Sequence, residues 1–417
     1  MARFLAWLAG TLLLLVLATV GLIVTAIDRQ PLVSRSATIA PRSVAQAKFL
    51  FSANDPRRLL SGEARQSVIP ATLIDDGINY VASRYLQGRG ALVLKEDTAE
   101  IRLTLRPPLL PGERYLNLSA TLRQTAGEPQ ISAAQIGALP IPPLLVEFAL
   151  GTGVRLAGYE HEWNLARHAI RELKFEPQRQ RVIVSYVWQP ALLERARSVA
   201  VDRDNLARMR SAQEMLAAML DHQAPGSRVE LATILGPLLD VNGSDQRENR
   251  RAAIFVLAAY LSEKNIVAFI PEAAHWPRIR PTELTLLGRG DSAQHFVISA
   301  ALAAWAGEPI ADAIGLYKEL ADSHRGSGFS FADLAADRAG TRFGELLNGD
   351  DARLQALLPD KLSDGNLAPT LNDFPEGINQ REFRRRFGST GSPAYQRLAD
   401  EIEQRLNALP LYQAKSP

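Results

Sequence analysis

Between residues 291 and 345 the chain concentrates groups that can do chemistry: DSAQHFVISAALAAWAGEPIADAIGLYKELADSHRGSGFSFADLAADRAGTRFGE. His295 and Ser299 stand at i and i+4, so a helix puts them on one face. Asp312, Gly315, Glu319 and Asp322 recur at i, i+3, i+7 and i+10, a second helical stripe. Asp333, Asp337, Gly340 and Gly344 form a third. Imidazole plus carboxylate is a ligand set for zinc or manganese, and facing helices can build such a site from His295, Glu319 and Asp337. Paired acids also run acid–base hydrolysis of a sugar or an ester, with Glu319, Asp322 and Asp333 as the catalytic groups. Buried acids repel one another, so the cluster requires a cation, a shared proton, or Lys318 and Arg338 as partners. None of the spacings is the H-E-x-x-H zincin pattern. Each group also has a structural role open to it. Asp333 can be a helix cap, the Asp312/Glu319/Asp322 stripe a solvated face, and His295 a core histidine satisfied by a buried partner.

Three helices must position these groups. The first is Ser292–Ala306, apolar apart from Gln294, His295 and Ser299. The second is Pro309–Ser323. After the glycine loop Gly326-Ser327-Gly328, the third begins at Ser330, with Ser330 as cap and Asp333 returning the bond in a capping box. The small residues of the third stripe permit a close helix approach.

The order His295, then Lys318, Glu319 and Asp322, then a Ser/Gly/Phe loop leading to Asp333, Asp337 and Gly340 resembles the VanZ-like and YfiM-like bacterial envelope families. The resemblance implies an envelope setting more than a reaction. VanZ-like proteins cross the membrane several times, whereas Glu308 to Asp337 is too polar here to span. The amino-terminal half resembles anchored extracytoplasmic domains that hold apolar ligands.

The amino terminus sets the location. Phe4 to Ile27 carries no charge. As a helix it is about 36 Å long, enough to cross a hydrocarbon core of about 30 Å. Two readings stay open: an uncleaved signal anchor, and a signal peptide cut after Ala26, where Val24-Thr25-Ala26 offers small residues. The apolar run exceeds the usual signal core, which favours the anchor. The expectation is a single pass through the inner (cytoplasmic) membrane, with the bulk of the chain in the periplasm.

The 417 residues carry 47 Lys+Arg against 45 Asp+Glu, net +2, with no cysteine. That balance gives no electrostatic case for nucleic acid, and the missing cysteine excludes disulfides, thiolate metal sites and a Cys nucleophile. The fold class expected is α+β: an N-terminal transmembrane helix, an antiparallel-sheet domain, then a mostly helical domain. The divisions are 1–28 anchor, 29–42 linker, 43–190 α+β domain, 191–224 connecting helix, 225–347 helical domain, and 348–417 a loop-rich tail with a terminal helix.

In the α+β domain, Ile74, Ile78, Val81 and Tyr85 predict an amphipathic helix over 71–86. Ile101, Leu103 and Leu105, then Leu116, Leu118, Ala120 and Leu122, then Val182, Val184, Tyr186 and Trp188 alternate as half-buried strands do. Leu139-Pro140-Ile141-Pro142-Pro143-Leu144-Leu145 is apolar but broken by proline, so it is no central strand and no helix before Pro143. It is either a core-covering crossover or the apolar lip of a groove for a lipid chain or peptide. Asn117-Leu118-Ser119 and Asn242-Gly243-Ser244 match the glycosylation pattern, idle in a bacterial chain. His161 and His168, with Glu160 and Glu162, could be metal ligands, but an exposed loop-to-helix entry is the favoured reading. Arg381, Arg384, Arg385 and Arg386 around Phe383 form a basic cluster that could touch anionic lipid headgroups or glycan phosphates; a solvated face is the favoured reading. Together these features predict a membrane-anchored envelope maintenance or scaffold protein that binds an apolar or cell-wall ligand. The alternative is a metal- or carboxylate-dependent hydrolase acting on peptidoglycan or a lipid-linked substrate.

Overall fold

The computed structural model describes residues 25–54, 62–107, 112–126, 129–189, 203–224, 226–241, 245–262, 266–268, 270–307, 309–312, 314–315, 318, 328–349 and 351–413. The fold is α+β, in two compact units, Met1–Val199 and Ala200–Pro417. The uncharged stretch 4–24 lies outside the described residues. Among the described residues no helix is long and apolar enough to cross a membrane.

The first unit is built on two antiparallel sheets. One runs β3 (Gly88–Leu94), β4 (Thr98–Leu105), β5 (Tyr115–Arg123), β7 (Gln130–Ile136) and β8 (Leu139–Ile141), with β1 (Ile27–Asp28) also pairing β5. The other runs β2 (Ala64–Pro70), β10 (Arg181–Val187), β9 (Ile170–Glu176) and β6 (Thr125–Ala126). The alternation of branched and polar residues forms strands as expected. In register, Ile101 faces Ala120 and Leu103 faces Leu118, which places one continuous apolar face across β4 and β5.

Ile27 and Asp28 belong to this sheet, against Leu116 and Tyr115, so any spanning helix stops before them. The chain that follows is stitched down rather than loose. The Asn117 amide donates to Asp28 Oδ2 at 2.8 Å and to the Gln30 carbonyl at 2.9 Å, while its oxygen accepts from Leu32 N at 2.9 Å and from Thr104 Oγ1 at 2.8 Å. Asn117 is therefore fully used and buried, which closes this glycosylation pattern to modification; Asn242 lies outside the described residues. Further on, Arg35 pairs with Asp75 and Asp76, and Asp76 accepts from Ser43 Oγ at 2.7 Å.

α1 (Pro41–Ala53) precedes β2. The expected helix over 71–86 is α2 (Ala71–Tyr85), but its inner face differs from the expected one. Val81 and Tyr85 point to solvent, whereas Asp76, Asn79 and Ala82 are buried. The cause is the neighbouring edge strand. β3 presents unpaired N–H groups, and Asp75 and Asn79 accept from Leu92 N at 2.7 Å and Gly90 N at 3.1 Å. A sheet edge covered in this way needs polar side chains on the helix.

The proline-rich segment becomes edge strand β8 and then α3 (Pro143–Leu156), whose first residue is the proline, where a missing N–H costs nothing. α4 (Glu160–Ala169) follows. His161 and His168 lie on α4 and not in a loop, exposed, with His168 Nδ1 2.6 Å from the Asn164 carbonyl.

The second unit is mostly helical: α5 (Arg203–Asp221), α6 (Leu231–Leu239), α7 (Gln246–Leu261), α8 (Gly290–Ala306), α9 (Phe331–Leu346), α10 (Gln380–Arg386) and α11 (Pro393–Ala408), with a two-stranded parallel pair, β11 (Arg228–Glu230) and β12 (Glu283–Thr285). Of the connecting helix expected over 191–223, residues 203–221 are helical and 190–202 lie outside the described residues. A broad apolar core runs through these helices, closed at one end by stacked rings of Phe329, Phe331, Phe383, Phe387 and Tyr395. Phe383 is part of that core, and the arginines of α10 surround it.

Candidate functional site

Each unit holds one candidate site. In the first, the apolar face of the larger sheet is not packed shut. Ile101, Leu103, Leu118 and Leu122 are only half-buried. They floor a cavity of about 620 Å³ together with Ala134 and Ile136. α3 and α4 roof it with Leu145, Val146, Leu150, Trp163 and Ala166. Ser119, Gln135, Glu147 and Arg167 supply the few polar groups of the lining. A cavity of several hundred Å³ with apolar walls and few polar groups has the form of a small-molecule site. The dry core of this unit is correspondingly small, centred on Ala99, Leu173, Phe175 and Val182.

The sequence marked the floor and part of the rim, Leu139 to Leu145. It missed the roof residues Val146, Leu150 and Trp163. Their signal was present, because α3 carries apolar residues on both faces and only Glu147 and Arg155 as charges. A helix of that kind has no purely solvated side.

In the second unit, α8 and α9 pack backbone to backbone. A Cβ on Gly340 would stand 2.0 Å from the Phe296 carbonyl oxygen, and one on Gly344 2.2 Å from that of Ala300. The small residues of the third stripe thus permit the close approach. That approach brings Asp337 to His295 and Ser299. His295 Nδ1 is 3.1 Å from Asp337 Oδ1, and Ser299 Oγ donates to the same oxygen at 2.8 Å. All three are buried. Asp333 Oδ2 lies 3.7 Å from His295 Nε2. Lys318 Nζ is 2.8 Å from the same nitrogen, and its charge opposes protonation of the ring. Arg338, the second basic partner foreseen for the acids, pairs with Asp312 and, at 2.6 Å, with Glu403.

Burial works against charging the His295 ring, but the Asp337 carboxylate, through its charge and its hydrogen bond, and then Asp333 lift its pKa to about 9. Burial raises the Asp333 carboxyl above its ordinary range, with His295 opposing and Asp291 adding to the rise. Ser330 caps α9 by accepting from Asp333 N at 3.0 Å. That bond is one half of the expected capping box; Asp333 Oδ1 makes no hydrogen bond among the described residues. Asp337 Oδ2 is likewise buried without a hydrogen bond, and Gly315 packs on it, its Cβ position 2.9 Å away.

Of the expected site residues, His295, Asp333 and Asp337 therefore share one site. Glu319 and Asp322 lie outside the described residues. Among the described residues no three His, Asp or Glu side chains are grouped so as to hold a metal ion. The geometry supports a proton network that joins two carboxylates, an imidazole and an ammonium. Compared with protein-family models, with curated proteins and with solved structures, the chain matches none of them.

Proposed function

We propose that the chain is a membrane-anchored binding protein of the bacterial envelope. Its uncharged amino terminus sits in the cytoplasmic membrane, its bulk lies on the periplasmic side, and its first unit holds the acyl part of a lipid. The observation that supports this most is the 620 Å³ apolar cavity between the sheet and α3 and α4. Each methylene sealed in such a space is worth about 0.8 kcal/mol, so a chain of about ten methylenes contributes about 8 kcal/mol, the scale of a micromolar complex. The few polar groups of the lining set orientation rather than affinity.

Ala134 lies in the cavity floor and is itself buried, so Ala134→Trp projects an indole into the space and obstructs it. The full chain released from membranes in mild detergent is expected to carry a lipid adduct by native mass spectrometry, and Ala134→Trp to have lost it. A wild-type chain without an apolar adduct refutes the reading.

A second reading, hydrolysis at the polar cluster of the second unit, draws on Asp333 Oδ1 and Asp337 Oδ2, buried carboxylate oxygens beside His295 without hydrogen bonds among the described residues. Its test is Asp333→Asn, which keeps size and the α9 cap. Loss of turnover of peptidoglycan or a lipid-linked substrate with the melting temperature intact supports hydrolysis. A joint fall of both assigns the cluster to structure.

A further inference from the structure

We propose that the outer face of α3 seats on a lipid bilayer, the one entered by the amino-terminal stretch, so that α3 stands between that bilayer and the cavity. This rests on the reading that the stretch lies in lipid, and it deepens the cavity assignment by naming the membrane as the source of the ligand.

The first observation is the helix itself. α3 has no buried residue. Leu145, Val146 and Leu150 face the cavity. Leu144 and Phe148, at i and i+4, and Leu156 further along stand 75%, 72% and 84% exposed. Water is a poor solvent for such a row, and a contiguous apolar patch marks a surface that is covered in use. Tyr159, exposed just before α4, is a ring type that favours the headgroup level of a membrane.

The second observation says what covers it. The chain leaving the uncharged stretch is pinned at the turn before β8. Ala138 N donates to the Thr25 carbonyl at 3.0 Å. Gly137, at φ +56°, lies so close to Thr25 and Ala26 that a Cβ would come within 2.6 Å of the Thr25 oxygen. Only a glycine serves there, on both counts. From Ala138 the chain runs through β8 to Pro142, at most about 13 Å at strand rise. α3 then adds about 21 Å. A stretch in lipid up to Val24 therefore brings the start of α3 to the headgroups. A second copy or a peptide would meet the same hydrocarbon row, but neither is held there by this chain. Glu147 and Arg155 balance each other on α3, so the attraction is apolar and does not require anionic lipid.

The chain has no cysteine, so a single introduced one reports alone. The full chain is reconstituted in phosphatidylcholine vesicles with a nitrobenzoxadiazole dye on Phe148→Cys, and separately on Arg179→Cys, an exposed residue between β9 and β10. The dye at 148 is expected to shift to the blue, brighten severalfold and be quenched by nitroxide lipids, at low and high salt alike, while the dye at 179 does none of these. A dye at 148 that stays in water overturns the proposal. Shielding that grows with protein density and resists lipid nitroxides also overturns it, in favour of a second copy. A lipid adduct by mass spectrometry with the 148 dye in water overturns the docking and leaves the cavity reading standing. A dye in lipid without an adduct supports the docking and removes the cavity reading.

Discussion

His295 shares its helix face with Ser299 in an otherwise apolar stretch, and its surroundings decide its charge. Asp337 on one nitrogen and Asp333 near the other hold its pKa up to about 9, against an ordinary value of 6.5. A group whose folded pKa is raised binds its proton more tightly when folded, so its stabilisation is fully present below about 6.5 and lost as pH rises through 9. The melting temperature is therefore expected to fall between pH 7 and pH 9.5, and His295→Gln to flatten that slope; a parallel slope in the variant would refute the assignment. The pairing of His295 with Asp337 was legible, because a polar side chain within an apolar helix needs a buried partner and the next acidic stripes were close in sequence. The involvement of Lys318 was foreseen only as a counter-charge for the acids. Its approach to the ring nitrogen depends on how three backbones meet, and spacing along one helix carries no such information.

At the scale of elements, periodicity names a helix more securely than it names the face. For α8 and α9 both were readable, since Gly340 and Gly344 have one use in a helix interior, close contact. Gly340→Ala is expected to cost about 2–3 kcal/mol in denaturant unfolding because the new methyl meets a carbonyl that cannot retreat without parting the helices. Gly349→Ala, with open space around it, is expected to change little. For α2 the apolar positions Val81 and Tyr85 suggested a buried stripe and the structure buries Asp76 and Asn79. Apolar count misled there because the neighbour is a strand edge hungry for acceptors. Backbone donors at an edge are invisible to a hydropathy pattern.

Over the whole molecule, the α+β class and the antiparallel pairing followed from alternation in Ile101–Leu105 and Leu116–Leu122. The alternation did not say that this face would stay half open. A sheet face reads the same whether a helix or a ligand lies on it, and only the three-dimensional separation of α3 from β4 and β5 distinguishes the two. The segment 29–42, read as a linker from its Ser/Arg/Pro composition, proves to be fastened through Asn117, Thr104, Asp75 and Asp76. Composition describes a chain's tendency to be free, and these bonds are made by residues far along the sequence. Asn117→Ala in the full chain is expected to open residues 29–42 to limited proteolysis and to lower the stability of the first unit by about 2–3 kcal/mol through several lost hydrogen bonds. An unchanged digest would show that the fastening lies elsewhere.

The fastening at Thr25 and Ile27 bears on how far the protein can travel. A body joined to its root by a slack cord sweeps a wide volume and can hand cargo across a gap; this one starts its first strand as soon as the greasy segment ends. Under the proposed anchoring the first unit is moored without scope, like a boat tied short to the quay, and the ligand proposed for it must arrive at, or leave by, the surface beneath.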